Sequence, residues 1–460
     1  MKKIIAITLF YFASCDFIIA QSPYQLHQCH ALAMQNHASI RIASNQVKSS
    51  EEQKKEAFTK YFPQISAVGG WFNSNKNMMA MELTPSEIIP SDIVNTLSTT
   101  LPSEALSSLA SPTTFSFMKN GIIAGVSAIQ PLYAGGQITN SNKLAKLNIE
   151  VNQLQKQQAE QQVILTTEQY YWQLVCLKEK MNTILAVEKM LSKVEEDVSL
   201  AVKAGITQRN DLLQIQLKQN ETASTKIQLT NGIRLSKMAL AQHIGIPYTE
   251  AFDIADEDIL SATLEAPISW HISHQEALPS TSEYNLLLAN VEAKQLNKKL
   301  EIGKNMPTVA VGVGYNYYDM LDTHRNFGMI FATVSVPISN WWGGSHAIRR
   351  QQYNIEMAKA ESHNTNDLLV INMQKLYDEL DNAWQQTRIA SKSIEQATEN
   401  LRLNQDYYYA GTTTMSDLLE AQVLFQQAND TYSDAYAKYQ VAKCKYLIAT
   451  GRYTTMLSSK

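Results

Sequence analysis

The 460-residue sequence predicts a mixed α/β membrane protein, internally duplicated, in which four short membrane-crossing strands join very long coiled-coil helices. Three observations predict it. One set of motifs occurs twice at a fixed spacing. Long helical stretches repeat apolar residues at alternating three- and four-residue steps. Two prolines, Pro63 and Pro307, each end a charged helical stretch and open a run of about ten small and apolar residues, the length of a tilted strand across a bilayer.

The duplication comes first, because a missed repeat misreads the whole fold. "AGITQRNDLLQIQ" (204–216) echoes "AGTTTMSDLLEAQ" (410–422), with Asp211 and Asp417 separated by 206 residues (417 − 211). Gly245 and Gly451 keep the same shift. So do Pro131 and Pro337, in "QPLYAGG" (130–136) and "VPISNWWGG" (336–344), the second with two extra residues before its glycines. Upstream, Ala31/Ala277, Ala43/Ala289 and Lys48/Lys294 lie 246 apart, and Pro63/Pro307 lie 244 apart. The expected organisation is a first repeat at 21–245, an intervening segment at 246–281, a second repeat at 282–451 and a short tail at 452–460. Each repeat reads as helix, strand pair, very long helix, turn, helix.

The helices carry a heptad seam. Leu418, Ala421, Phe425, Ala428, Tyr432, Ala435, Tyr439, Ala442 and Tyr446 alternate alanine with a larger side chain, so that neighbouring backbones approach closely at every second layer. Leu369, Met373, Leu376, Leu380, Ala383, Thr387, Ala390, Ile394, Ala397 and Leu401 do the same before it, as do Ile184, Val187, Leu191, Val194 and Val198 in the first repeat. No proline or glycine stands between Gly344 and Gly411, a rod of about 100 Å at 1.5 Å per residue. The rods reverse at Gly205 and Gly411, where glycine supplies the left-handed conformation of a helix end.

The strands are expected at about 63–73, 119–131, 307–318 and 327–337. In the third, Val309, Val311, Val313, Tyr315 and Tyr317 alternate with small or polar residues, as a strand between lipid and water should. Pro63, Pro131, Pro307 and Pro337 mark the helix–strand junctions, because proline cannot continue a helix and leaves its predecessor extended. Residues 73–119 read as a long surface loop and 319–326 as a short one.

A net charge of −4 and a pI near 6.2 leave no basic footprint for nucleic acid. Past residue 20 no apolar run approaches the ~18–20 residues of a membrane helix, so a membrane crossing has to use strands. Lys2, Lys3 and the apolar stretch 4–13 read as an export signal over residues 1–20. "FASC" (12–15) is an imperfect lipobox, which would instead make Cys15 a lipidated N-terminus. Cys29, Cys176 and Cys444 then remain, an odd number without CxxC spacing, and are read as buried free thiols.

Four strands cannot stand alone in lipid, where an open edge leaves backbone groups unpaired. Two copies would give a barrel filled by its own side chains, three a twelve-stranded barrel with an open lumen.

At this point the chain resembles the TolC-type outer membrane factors. The residues that carry the resemblance are "YFPQIS", "NMPTVAVGVGY", "QPLYAGGQI", "VPISNWWGGSHAIRR" and the two "AG…DLL" turns, which together cover nearly the whole chain. The resemblance implies a homotrimer, with a 12-stranded β-barrel in the Gram-negative outer membrane, a periplasmic α-barrel of coiled helices and an equatorial region. It also implies a passive exit duct of an efflux pump or type I secretion system. Its partners would be outer-membrane lipid, a periplasmic adaptor and an inner-membrane transporter of RND, ABC or MFS type. The contrasting reading is a periplasmic coiled-coil protein without channel activity.

The resemblance puts the turns at Gly205, Ile206, Gly411 and Thr412 at the periplasmic tip, in contact with the adaptor. Asp417 and Glu420 match the acidic positions of the constriction. The plainer reading of Asp417 is a helix cap, favoured by the helix dipole. Asp211 and Tyr408 match positions whose hydrogen bond holds the tip closed. One departure stands out: the arginine of the family's best-known member, two residues after the second turn glycine, is Thr413 here. "HQCH" (27–30) with His37, and "HISH" (271–274), do not supply the ligand set of a structural zinc site and are read as solvated. The glycine pairs lack the ending of a phosphate loop. No nucleophile–base–orienter trio suggests an enzyme, and no cofactor or metal is expected. Trp341 and Trp342 read as aromatics at a membrane boundary.

Overall fold

The computed structural model describes residues 23–83, 90, 92–93, 113–257, 259, 264–320 and 323–453. The export signal and Cys15 lie outside the described residues. In chain order the main elements are α1 (Leu26–Asn36), α2 (Ala38–Thr59), β1 (Gln64–Asn73), β2 (Met79–Leu83), β3 (Thr113–Phe117), β4 (Asn120–Ala134), α3 (Gln137–Lys203) and α4 (Arg209–His243). The short α5 (His274–Ala277), α6 (Ser282–Lys304), β5 (Thr308–Met320), β6 (Thr323–Ser335), α7 (Asn340–Tyr409) and α8 (Met415–Ala449) follow. The chain divides into two units, one of residues 52–146 and 293–355, the other of residues 1–51, 147–292 and 356–460.

The first of these holds a four-stranded antiparallel sheet in the order β1-β4-β5-β6, so β1 and β6 are open edges within the chain. Directly paired residues share a face. The rows Ile65–Ala128–Val313–Ile330 and Ala67–Val126–Tyr315–Gly328 therefore build one apolar face across all four strands. Ile65, Trp71 and Ile330 on it are 74%, 71% and 86% exposed, so none of the described residues covers it. The opposite face carries Ser66, Ser127, Gly314, Gly125 and Asn316, with the Ser66 and Ser127 hydroxyls 3.1 Å apart. On that face Phe72 lies against Gly121 and Phe331 against Gly312, each aromatic ring occupying the space a Cβ would take on its cross-strand partner.

Several sequence expectations need correction here. The loop expected at 319–326 is mostly paired strand: Tyr318 faces Arg325, and Asp319 faces His324 with an Oδ1–Nδ1 separation of 3.1 Å. The fourth strand accordingly starts at Thr323 and ends at Ser335, ahead of Pro337. Pro131 is not a junction but lies inside β4, where the register to β5 shifts between Pro131 and Tyr133. Pairing with β1 stops at Ile129, so the missing N–H of Pro131 deprives no neighbour on that side. The segment read as a long surface loop contains a second sheet, with Met79 to Leu83 pairing Phe117 to Thr113. The glycine pairs also diverge. Gly135 and Gly136 turn at φ +60° and +74°, whereas Gly343 and Gly344 lie within the first turns of α7, where Gly344 packs against the side chain of Asn305. Trp341 and Trp342 are 50% and 81% exposed, and the Trp341 indole donates to the Asn305 carbonyl at 3.0 Å.

The second unit is helical. α3 and α7, 67 and 70 residues long, belong to it from residues 147 and 356 onward. The heptad seams are its buried face: Leu418, Ala421, Tyr432, Tyr439 and Tyr446 are at most 3% exposed, as are Ile184, Val187, Leu191, Val194 and Val198. The seam tyrosines also bind the segment that follows α4. The hydroxyls of Tyr432 and Tyr439 donate to the carbonyls of Ile259 (2.7 Å) and Glu265 (2.8 Å). The Tyr446 hydroxyl accepts from the Ile272 N–H (3.4 Å). Phe252 and Ile254 of this segment sit in a core with Tyr171, Leu174, Leu240 and Ile244.

Candidate gate at the helical turns

Each long helix ends in one device. Gly205 (φ +72°) donates to the Val202 carbonyl and Ile206 to that of Ala201; Gly411 (φ +73°) donates to Tyr408 and Thr412 to Tyr407. This is the crossed pair of a Schellman cap, which needs a left-handed residue and so favours glycine. The same pattern recurs after α4 and α8, at Gly245 with Ile246 and at Gly451 with Arg452. All four glycines obey the 206-residue shift. The tip turns are open around their glycines, and Ile206 is 80% exposed.

Beyond the turns the two halves differ. In the second, Thr414 is the N-cap of α8, accepting from the Asp417 N–H at 3.2 Å while Asp417 Oδ2 accepts from the Thr414 N–H at 3.0 Å. The hydroxyls of Thr414 (2.6 Å) and Thr413 (2.9 Å) donate to the same oxygen. These bonds, the Thr414 hydroxyl first, hold the Asp417 carboxyl below its ordinary value. Within one chain, then, Asp417 is a cap, the plainer of its two readings. Glu420 is exposed on the same helix one turn later. Thr413, standing where the resemblance looked for arginine, serves its own turn.

In the first half the Thr207 hydroxyl donates to Asp211 Oδ2 at 2.7 Å. Tyr408 packs on a cluster of Val194, Val198, Ile215, Met415 and Leu418, and burial raises its hydroxyl pKa. The next residue, Tyr409, donates to Asp197 Oδ2 at 3.0 Å. Sequence reading missed Thr207, Thr414, Tyr409 and Asp197. A Thr-x-x-Asp spacing at 414–417 was the available signal for the cap, whereas nothing local links Tyr409 to a residue 212 positions away.

Two of the histidines read as solvated are buried, whereas His27 and His271 are exposed. His30 is 2% exposed, its Nε2 3.3 Å from Glu168 Oε1, and His274 is buried with Nε2 3.2 Å from the Tyr446 hydroxyl. They fill the interior of the helical unit. No group of three metal-ligating side chains forms among the described residues. Cys29, Cys176 and Cys444 are free and buried, and desolvation pushes the Cys29 and Cys176 thiols up to about 12.

Residues 287–445, spanning the helices and strands of the second repeat, match the family described as Outer membrane efflux protein. That match falls within the second of the two repeats. Solved structures share the fold across nearly the whole chain. It is similar to the outer membrane protein VceC from Vibrio cholerae, at 14% identity and a TM-score of 0.70 over 93% of this chain and 96% of that one. The Campylobacter jejuni CmeC outer membrane channel aligns at 14% identity and a TM-score of 0.69, covering 93% and 86%. The open state of the Neisseria gonorrhoeae MtrE outer membrane channel aligns at 13% and 0.70, covering 93% and 89%. Against curated protein sequences the chain has no match. The duplicated fold of strands and helical rods expected from the sequence is thus the fold of outer membrane channels.

Proposed function

We propose that three copies of this chain form a passive exit duct in a Gram-negative outer membrane, opening at the helical turns. One observation carries the reading: a four-stranded sheet with an uncovered apolar face and two open edges. In hydrocarbon such edges must be paired, and pairing β1 of one copy with β6 of the next closes a twelve-stranded barrel with room for a lumen. The face with Ser66, Ser127 and Asn316 then lines water, and the face with Ile65, Trp71, Val313 and Ile330 meets lipid. Transport is driven by an inner-membrane transporter of RND, ABC or MFS type, reached through a periplasmic adaptor. The exposed turns at Gly205, Ile206, Gly411 and Thr412 suit adaptor contact. Asp417 and Glu420, repeated three times, place six carboxylates around the constriction. Reconstitution into planar bilayers tests the reading: discrete single-channel currents are expected, and a protein that inserts without conducting would refute it.

A further inference from the structure

We infer that the joint between α1 and α2 is a proton-sensitive device, closed by two imidazoles, His37 and His243, that hold it only in their neutral form. The two helices are interrupted at His37 alone, which is extended (φ −63°, ψ 133°). Its backbone N–H donates to the Ala33 carbonyl at 2.9 Å and finishes α1. Its ring starts α2: Nδ1 accepts from the Ser39 N–H at 3.2 Å, as an N-cap side chain does from the second residue of a helix. An imidazole accepts only through a nitrogen that carries no proton. Protonation therefore removes the cap, sets two N–H groups against each other and puts a positive charge at the positive end of a 22-residue helix.

His243, in the last turn of α4, lies against the same ring with centroids 4.7 Å apart, and is 5% exposed. Its Nε2 is 3.2 Å from the Val163 carbonyl and 3.1 Å from the Thr167 hydroxyl, which gives its own proton to Val163 at 2.8 Å. A carbonyl only accepts, so Nε2 carries the proton and Nδ1 of the neutral ring is bare. Burial pushes the His243 pKa below its ordinary value. Its contribution is thus full at neutral pH and is lost as the pH falls from the ordinary histidine value toward the lower, folded one. The surroundings supply no opposite charge. Tyr170 of α3 stands edge-on to His243, and the side chain one turn into α2 is the positive Arg41. Among the described residues neither imidazole has an ion-pair partner, whereas His30 on α1 has Glu168 at 3.3 Å. The joint is seated on the end of α4 by Asn36, whose amide donates to the Ile244 carbonyl at 3.3 Å. Acid loosens this seat while the seam of Ile184, Val187, Leu191, Val194 and Val198, which has no titrating side chain, stays closed. The joint lies away from the turns, and its behaviour does not depend on channel activity.

Hydrogen exchange of the full chain, read by mass spectrometry from about pH 8 to about pH 5 and corrected for the intrinsic pH dependence of exchange, tests this. Protection of residues 36–41 is expected to fall about fivefold on acidification, the size of one ordinary hydrogen bond, while residues 184–198 keep theirs. His37→Asn supplies a capping acceptor that does not titrate. It is expected to retain the neutral-pH protection and lose most of the acid step. Adding His243→Gln, which keeps an N–H donor for Val163, removes the remainder; the single variant decides alone should the double one not fold. No acid step in the wild type, or a full step in His37→Asn, overturns the device. So does an equal loss at 184–198, which would mark general unfolding.

Discussion

The hydroxyl of Tyr439 donates to the backbone carbonyl of Glu265 at 2.8 Å, joining a heptad position of the last helix to a segment 174 residues earlier. Tyr432 does the same one heptad before, with Ile259, and Tyr446 meets Ile272 one heptad after. A periodicity that reads as coiled-coil packing therefore also anchors irregular chain, because a tyrosine buries its ring in the seam and leaves its polar end to find a partner. Tyr432→Phe and Tyr439→Phe, each leaving a carbonyl unpaired, are expected to destabilise the helical unit by about 1–2 kcal/mol apiece. Thermal or denaturant melts of the purified protein check this.

The Schellman glycines fall into two classes. At Gly205 and Gly411 an added Cβ meets open space, so alanine adds only the left-handed backbone penalty of about 1–2 kcal/mol. At Gly451 it would also meet the Ser280 backbone oxygen at 2.8 Å, and at Gly245 the Asn36 side chain. Gly451→Ala and Gly245→Ala should thus lower the melting temperature clearly more than the tip substitutions. Equal shifts at all four positions would contradict the packing.

In the sheet, a side chain at position 121 would meet the Phe72 ring at 2.7 Å and Met320 at 2.8 Å. Gly121→Val should cost about 1–3 kcal/mol by overpacking, and Phe72→Ala in the same chain should recover part of it. The readout is the temperature at which the assembled form dissociates on a gel.

The depressed pKa of Asp417 fixes the sign of an acid effect. A carboxyl stabilised in its charged form contributes fully above its unfolded value and loses that contribution as pH falls through the lower, folded one. Amide exchange at residues 414–418 is expected to quicken across that acid window, and Thr413→Val, which removes one donor, should move the window to higher pH. A carboxyl titration followed by NMR, with no displacement in Thr413→Val, would speak against the hydrogen bond.

Replacing Asp417 and Glu420 together with alanine should weaken the block of the channel by multivalent cations added from the periplasmic side, since a ring of carboxylates concentrates such ions. Unchanged block in the conductance trace removes both from the constriction.

The sequence by itself determined the duplicated plan, the two rods, the turn glycines and the strand starts at Pro63 and Pro307, because each depends on neighbours within a few residues: heptad steps, a left-handed glycine, a proline without an N–H. It misread what depends on distant chain. Pro131 lies within β4 since β1 no longer needs that edge, Tyr318 and Asp319 pair with Arg325 and His324 across β5 and β6, and His30 is buried beside Glu168 of α3. Only the tertiary structure decided that Tyr408 enters the cluster of Val194, Val198 and Met415 and that Tyr409 finds Asp197. Local propensity is written in adjacent residues, whereas the partner of a buried or hydrogen-bonding side chain is chosen by which helices and strands the fold brings alongside it.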